Sequence, residues 1–385
     1  MAPWLQRVPF KAPSWTSKLK APPTRVLLAN LPTPLMPWSC PLLQDLSVRW
    51  SLKRDDLCGL ELSGNKTRKL EFLLAEALDK GHDCVVTVGG LQSNHCRATA
   101  VAARMVNLES HLVLLVKDQM LEQDPGLEGN LLLSRLTDAT LHLCAASTYR
   151  SLGGDLQAAD RLNEEMAQQL RRQGKNPYVI PVGGTCPLGT WGYLSAVDEL
   201  QEQLSPEDPV DHIVVAAGSG GTLAGLALAL HLAGGKQQLH GVNIQHEPDV
   251  YRKLIASEAM GLGCDETLAS AVAGEVQLLS GAGLGYAQSS QLELRCLAEV
   301  AKVSGVVLDH VYAGKALYHF CEYAKANPDA FRNSHILFWH TGGLFGLYSQ
   351  AERLQSLPKR VSSFQPTQPQ PKVGERENTG PEGLG

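Results

Sequence analysis

Residues His212–Leu230 read HIVVAAGSGGTLAGLALAL. An apolar run rich in β-branched residues, His212–Ala216, stops at Gly218, Ser219, Gly220, Gly221 and Thr222, and an apolar helical pattern follows at once. A strand that is apolar on both faces belongs inside a parallel sheet, and a parallel strand must be followed by a crossover, usually a helix. The small residues between them let several backbone N–H groups converge on one dianion at a helix start. No Gly-Lys-Ser/Thr follows, so this is not a Walker loop, and G-x-G-G-T lacks the glycine spacing of a dinucleotide fingerprint. A single phosphate carried on an aromatic body is the ligand that fits best.

The same alternation extends through the chain. Short β-rich runs fall at Cys84–Val88, His111–Val116, Thr140–Cys144, Tyr178–Val182, His212–Ala216, His240–Ile244, Gly305–Leu308 and His335–Trp339. Segments of helical periodicity, such as 155–172, 190–204 and 291–303, lie between many of them. This is the βαβ rhythm of an α/β fold with helices on both faces of parallel sheets. Two more strands end in glycine turns, at Gly89-Gly90 and at Thr341-Gly342-Gly343. Open α/β sheets bind ligands beyond the carboxyl ends of their strands, where such turns enter helices.

Composition narrows the partners. The chain has 385 residues, enough for two domains, and an ordinary apolar fraction of 44%. A net charge of -5 gives no electrostatic case for nucleic acid or an anionic membrane, so the partner is a small molecule. The longest apolar run, Leu223–Ala233, contains His231 and is too short to span a bilayer. Nine scattered cysteines, never spaced C-x-x-C, argue against a disulfide framework or a zinc site and for a reducing compartment, the cytoplasm. The basic N-terminal arm, with no acidic residue before Asp45, keeps a mitochondrial transit signal as the alternative. Residues 358–385 turn to Pro, Gln, Ser, Gly and charge, and read as a disordered tail.

The stretch Leu62–Phe72, LSGNKTRKLEF, sets a lysine behind Ser-Gly-Asn at the mouth of a helix. Leu70, Leu73, Leu74, Ala77 and Leu78 form the buried stripe, and Lys69 reads as a solvated lysine beside it. Lys66 stands at the helix entrance, where the macrodipole favours a neutral, nucleophilic amine. Two readings of Lys66 stand at this point, a catalytic amine and an ordinary solvated one. Taken with the phosphate cup and the polar strand-end loops, the catalytic reading points to pyridoxal 5'-phosphate, with the lysine as its Schiff-base partner.

Six motifs in order, KRDDLCGLELSGNKTRKLEFLLAEAL, VGGLQSNHCRATA, PVGGTCPLGTWGY, AAGSGGTLAG, LDHVYAGKA and HTGGLFGLY, resemble the D-cysteine desulfhydrase and 1-aminocyclopropane-1-carboxylate deaminase family of pyridoxal-phosphate enzymes. The resemblance runs from about Val8 to about Leu354 and is strongest to the desulfhydrase branch. It implies a tryptophan-synthase-β-like fold, pyridoxal-phosphate fold type II, with two open parallel-sheet domains flanked by helices. The larger would join 9–64 to 190–357, the smaller would span 65–189, and residues 1–8 would be an N-terminal extension. A homodimer is the expected assembly.

The resemblance also implies roles. Lys66 would be the Schiff-base lysine and remove the α-proton. Asn94 would hydrogen-bond the cofactor's phenolic oxygen, Gly218, Ser219, Gly220, Gly221 and Thr222 would cup its phosphate, and Thr341 would face its ring nitrogen. Ser93, Asn94 and His95 would meet the substrate carboxylate, and Tyr286 and Tyr312 would stand beside the substrate. Each has a plainer alternative: an N-cap for Ser93 and Asn94, core aromatics for the tyrosines, a half-buried helix-start residue for His95. Lys53, Arg54, Asp55 and Asp56 match a family motif and read as structural ion pairs.

Two positions depart from the deaminase branch, which carries a glutamate where this chain has Ala313 and a leucine where it has Thr341. A carboxylate at the ring nitrogen keeps it protonated and strengthens the electron sink needed to open a cyclopropane, whereas a thiolate is already a good leaving group. The implied reaction is β-elimination of sulfide from D-cysteine, giving pyruvate, ammonia and hydrogen sulfide. The alternatives are the deaminase, another D-amino-acid lyase, or a pseudoenzyme that keeps the fold for binding.

Overall fold

The computed structural model describes residues 5–354 together with 362 and 363. The tail at 358–385, apart from those two residues, lies outside the described ones. Among the described residues twelve strands form: β1 Arg7–Pro9, β2 Thr24–Val26, β3 Leu35–Pro37, β4 Arg49–Arg54, β5 Cys84–Gly90, β6 Glu109–Val116, β7 Thr140–Ala145, β8 Pro177–Val179, β9 His212–Ala217, β10 Gln238–Asn243, β11 Gln277–Ser280 and β12 His335–His340. A six-stranded sheet has the order β11-β10-β9-β12-β4-β3, and a four-stranded sheet has the order β7-β6-β5-β8. Every pairing in both is parallel except β3 with β4 at an edge. The N-terminal residues also join the fold, because β1 pairs antiparallel with β2.

Strand periodicity explains why the larger sheet is covered twice. Ile213, Val215, Ala217, Leu337 and Trp339 point into one core cluster, while Val214, Ala216, Ile336 and Phe338 point into another on the opposite face. The first cluster is closed by helices α6 (Pro187–Gln203) and α7 (Gly221–Leu232). Helix α7 is apolar all round and buried along almost its whole length, as such a composition demands. Around the smaller sheet lie α1 (Lys66–Asp79), α2 (Asn94–Met105), α3 (Asn130–Leu136), α4 (Ala146–Ser151) and α5 (Leu156–Arg172). Helix α1 serves both units: Phe72 enters the α6–α7 core, and Leu70, Leu73 and Leu74 enter the core under β5.

Gly305–Leu308, expected as a strand, is irregular. Gly305 takes φ 71° and ends the helix Gln291–Ser304, so the run is spent leaving one helix and reaching the next, Ala313–Ala326.

The Lys53–Asp56 motif is a buried ionic knot. Asp55, with 0% exposure, accepts from Arg68 Nε and Nη2 at 3.1 and 2.9 Å, from Tyr193 Oη at 2.9 Å and from Trp339 Nε1 at 2.8 Å. Glu199 bonds Arg68 as well, and it also meets Lys53. Burial by itself would raise the Asp55 carboxyl, but Arg68, Trp339 and Lys53 outweigh it and leave its pKa lowered. Asp55→Asn would leave Arg68 and Lys53 short of one counter-charge, and removing one partner of a buried pair costs about 3–5 kcal/mol. Denaturant unfolding should show that loss. A cost under about 1 kcal/mol would mean that Glu199 alone balances both cations.

Candidate active site

A cleft of about 330 Å³ opens at the carboxyl ends of β5, β9 and β12. Lys66, Ser93, Asn94, His95, Gly218, Ser219, Gly220, Thr222, Tyr286, Tyr312 and Thr341 all line it. Gly221 does not. It stands behind the wall, where a Cβ would lie 2.6 Å from Thr185 Oγ1 and 2.7 Å from Lys69 Nζ.

Lys66 is brought to the cleft by two glycines pressed together. Gly64 has φ 109°, and a Cβ there would come within 2.7 Å of the Thr341 carbonyl oxygen. Gly342 has φ 85°, and a Cβ there would meet Gly64 Cα at 2.7 Å. Only residues without a side chain allow this approach. The Asn65 N–H then donates to the Thr341 carbonyl at 3.1 Å, and α1 begins at Lys66. Burial, and then the charge of Lys69, push the Lys66 amine well below its ordinary pKa, toward the neutral form that attacks a carbonyl or takes a proton.

Lys69 is not the solvated lysine expected from the helical stripe. It is buried, because α6 packs on that side of α1, and its Nζ donates to the Gly183 carbonyl at 3.1 Å. Burial lowers its pKa to about 8, opposed by Glu258. Around it the loop is fixed by side chains: Thr185 Oγ1 donates to Ser219 Oγ at 3.0 Å, and Asn65 Nδ2 donates to Thr222 Oγ1 at 2.9 Å. Tyr251 Oη reaches the carbonyls of Ala217 and Gly218 at 2.6 and 2.7 Å and so holds the end of β9 at the loop. Gly218 is required by a neighbour, since a Cβ there would stand 2.7 Å from the Tyr312 ring.

Ser93 proves to be an N-cap, its Oγ accepting from the Cys96 N–H at 3.1 Å, while still lining the cleft. His95 is buried, shares a 2.9 Å hydrogen bond with Thr87, and is held neutral by burial and then by the charges of Lys66 and Lys69. Tyr286 and Tyr312 meet hydroxyl to hydroxyl at 2.7 Å. Tyr312 is placed by Asp309, whose carboxylate accepts from the N–H groups of Val311, Tyr312 and Ala313 at 2.7–2.9 Å. The Tyr286 turn is held by Lys315, which donates to the carbonyls of Ala282 and Gly285 at 2.6 and 2.9 Å. Tyr149 and Leu156 close the cleft from the side of the smaller sheet.

Sequence reasoning missed Lys69, Thr185 and Asn65. Asn65 sits inside the quoted motif and could have been found there. Lys69 could not, because helical periodicity marks one buried stripe and says nothing of a second helix on another side. Among the described residues no group of His, Cys, Asp or Glu could hold a metal ion, and no helix is long and apolar enough to cross a membrane.

The family model described as pyridoxal-phosphate dependent enzyme matches residues 26–342. The chain is 43% identical over 361 residues, 93% of its length and 88% of the relative's, to the bifunctional D-cysteine desulfhydrase/1-aminocyclopropane-1-carboxylate deaminase, mitochondrial, of Arabidopsis thaliana. It is 34% identical to D-cysteine desulfhydrase of Klebsiella pneumoniae strain 342, over 84% of this chain and 95% of that one. A crystal structure of an ACC deaminase homologue superposes with a TM-score of 0.73 at 34% identity, covering 87% of this chain and 96% of the other.

The cleft fits pyridoxal phosphate. Two of the three Lys69 donors find no partner among the described residues, and its Nζ lies beside Gly221 at the start of α7, just behind the residues that line the cleft. A phosphate there would gain a cation and a helix N-terminus, with Lys66 at the other end to hold the aldehyde carbon. Charge-assisted hydrogen bonds are worth about 1.5–3 kcal/mol, so Lys69→Met should weaken cofactor binding roughly tenfold to a hundredfold. Equilibrium titration of the apoprotein with pyridoxal phosphate measures this. Unchanged affinity in a folded variant would place the phosphate elsewhere.

Proposed function

The chain belongs to the pyridoxal-phosphate dependent enzymes and, within them, to the D-cysteine desulfhydrase and 1-aminocyclopropane-1-carboxylate deaminase group, and from that premise we propose that it is a lyase that eliminates sulfide from D-cysteine. The products are pyruvate, ammonia and hydrogen sulfide, with one water consumed. One observation carries this choice over ring opening: no Asp or Glu lines the cleft among the described residues. Thr341 lines it instead, and Ala313 is buried, spending its N–H on Asp309. A ring nitrogen facing a hydroxyl is a weaker sink than one facing a carboxylate, and that suffices for a thiolate leaving group.

When bound, the cofactor supplies an electron sink for the pair left at the α carbon. The rest falls to the chain. The lowered pKa of Lys66 suits it to take the α-proton near neutral pH. Ser93 and the start of α2 offer a hydroxyl and free N–H groups to the substrate carboxylate. Tyr312, hydrogen-bonded to Tyr286 and lining the cleft, would give a proton to the departing sulfur. Asn94 would meet the phenolic oxygen, and Gly218–Thr222 with Lys69 would hold the phosphate.

Three coarser readings accompany this one. The strands of the two sheets, residues 35–54 and 212–340 against 84–179, support a larger domain of 9–64 with 190–357 and a smaller domain of 65–189. Nine free cysteines support a reducing compartment, the cytoplasm or the mitochondrial matrix. Exposed Leu57, Leu60, Leu344 and Tyr348 support a homodimer, for which light scattering should give about twice 41.6 kDa.

The activity test is turnover of D-cysteine, L-cysteine and the cyclopropane acid by the same preparation. Sulfide and pyruvate should come from D-cysteine, with little 2-oxobutyrate from the cyclopropane acid. Lys66→Ala should lower sulfide release by at least about a hundredfold, the scale of a lost general base. Efficient ring opening by the wild type would make the deaminase the primary activity. The double substitution Ala313→Glu with Thr341→Leu should shift preference toward the cyclopropane acid, and a preference that does not move would sink the ring-nitrogen explanation.

A further inference from the structure

Arg97 is fully buried on α2, and among the described residues no carboxylate lies against it. Its Nη1 and Nη2 donate to the carbonyls of Glu61 and Ser63, just ahead of Lys66, and its Nε donates to Asn130 Oδ1 at 3.1 Å. Burial brings the guanidinium down to about 9, so it stays charged at neutral pH.

A guanidinium has donors only, so Asn130 must turn its oxygen toward Arg97. The Asn130 Nδ2 then donates to the Gln92 carbonyl at 3.0 Å and to Asn94 Oδ1 at 2.9 Å. The Gln92 carbonyl is an acceptor only. Reversing the Asn130 amide would therefore set donor against donor at Arg97 and acceptor against acceptor at Gln92. Asn130 cannot rotate away either: it is 1% exposed and its N–H is bonded to Gln92 Oε1 at 2.9 Å. Facing a fixed donor, Asn94 must present its oxygen to Asn130. Its amide nitrogen is left for the cleft that Asn94 lines, with no partner among the described residues.

We propose that Asn130 is a positioning residue, itself oriented by Arg97, which compels Asn94 to offer N–H and never oxygen to the group held in the cleft. The chain of polarity runs Arg97 to Asn130 to Asn94 and selects an anionic oxygen at its end. On the reading of the site given above, that oxygen is the phenolic oxygen of the cofactor. An N–H on that oxygen stabilises its negative charge and so lowers the pH midpoint at which the visible absorbance of the bound cofactor changes.

The test is that midpoint, measured on holoenzyme by absorbance titration. Asn130→Asp is nearly isosteric and ion-pairs with Arg97, but it gives Asn94 an acceptor to face. Asn94 then turns its nitrogen to the introduced carboxylate and its oxygen to the cofactor, and the midpoint should rise by about one pH unit or more, the scale of a charged hydrogen bond. Asn130→Ala frees Asn94 to rotate and should raise the midpoint by less. The introduced carboxylate also opposes the Gln92 carbonyl and carries a charge of its own, so Asn130→Asp is repeated in the Asn94→Ala background, where the relay predicts a clearly smaller shift and a shift of undiminished size would overturn the proposal. Should Asn130→Asp not fold, Asn130→Ala is measured in the wild-type and Asn94→Ala backgrounds. The shift should vanish in the second, and one that persists there, or that is absent from the first, would overturn the relay. Asn94→Ala alone separates the two levels: if it leaves the midpoint unmoved, the placement of the phenolic oxygen beside Asn94 is what fails.

Discussion

Asp55 and Arg68 meet with almost no solvent on either, and the position of α1 depends on that meeting. Arg68 lies two residues after Lys66 on α1, and Trp339, which also bonds Asp55, lies on β12 two residues before Thr341. One carboxylate thus ties the helix that begins with the amine to the strand that ends in the Thr-Gly-Gly turn. A buried ion pair adds little net stability compared with a well-packed apolar substitute. What it adds here is geometry: four donors converge on one residue from α1, α6 and β12, so these elements cannot slide independently. The Gly64–Gly342 contact requires that precision, since a shift of a few tenths of an ångström would open it or drive backbone into backbone.

The fold was legible because parallel strands leave a strong mark. His212–Ala217 and His335–His340 are apolar on both faces, and the structure buries both faces. The three glycine turns were legible for a related reason, since glycine at a strand end permits a positive φ and a close approach. What could not be read was anything set by packing between distant segments. Lys69 looks solvated from its own helix and is buried by another, and Arg97 looks like an ordinary α2 residue until the turn at Glu61–Ser63 and Asn130 arrive. Gly305–Leu308 failed for the opposite reason. Its β-branched residues signalled a strand, but a helix C-cap at one end and the Asp309 cap at the other left no room for one.

The roles assigned by resemblance sharpen when geometry is added. Ser93 is both a cap and a lining residue, and the two are compatible because a cap accepts with its oxygen and still has a hydroxyl proton to donate. Gly221 belongs to the loop through its backbone and through the room it leaves for Lys69 and Thr185. Gly220 is needed for its φ of 90° and for the space taken by Leu254 and Tyr251, on the side away from any ligand.

The electrostatics of the cleft point in one direction. Lys69 lowers Lys66 directly, while the helix start of α7 adds a positive partial charge beside them and, among the described residues, no carboxylate lines the wall. Two buried amines beside a helix N-terminus both have lowered pKa values, with burial as the first cause. Lys69, at about 8, keeps most of its charge at neutral pH, and a phosphate dianion at the start of α7 would secure that charge while Lys66 remains the more readily neutral amine. The two lysines, one turn apart on α1, are thus pushed apart in pKa by burial and by the charge of Lys69 on Lys66, a division that would suit Lys69 to bear charge beside a phosphate and Lys66 to react.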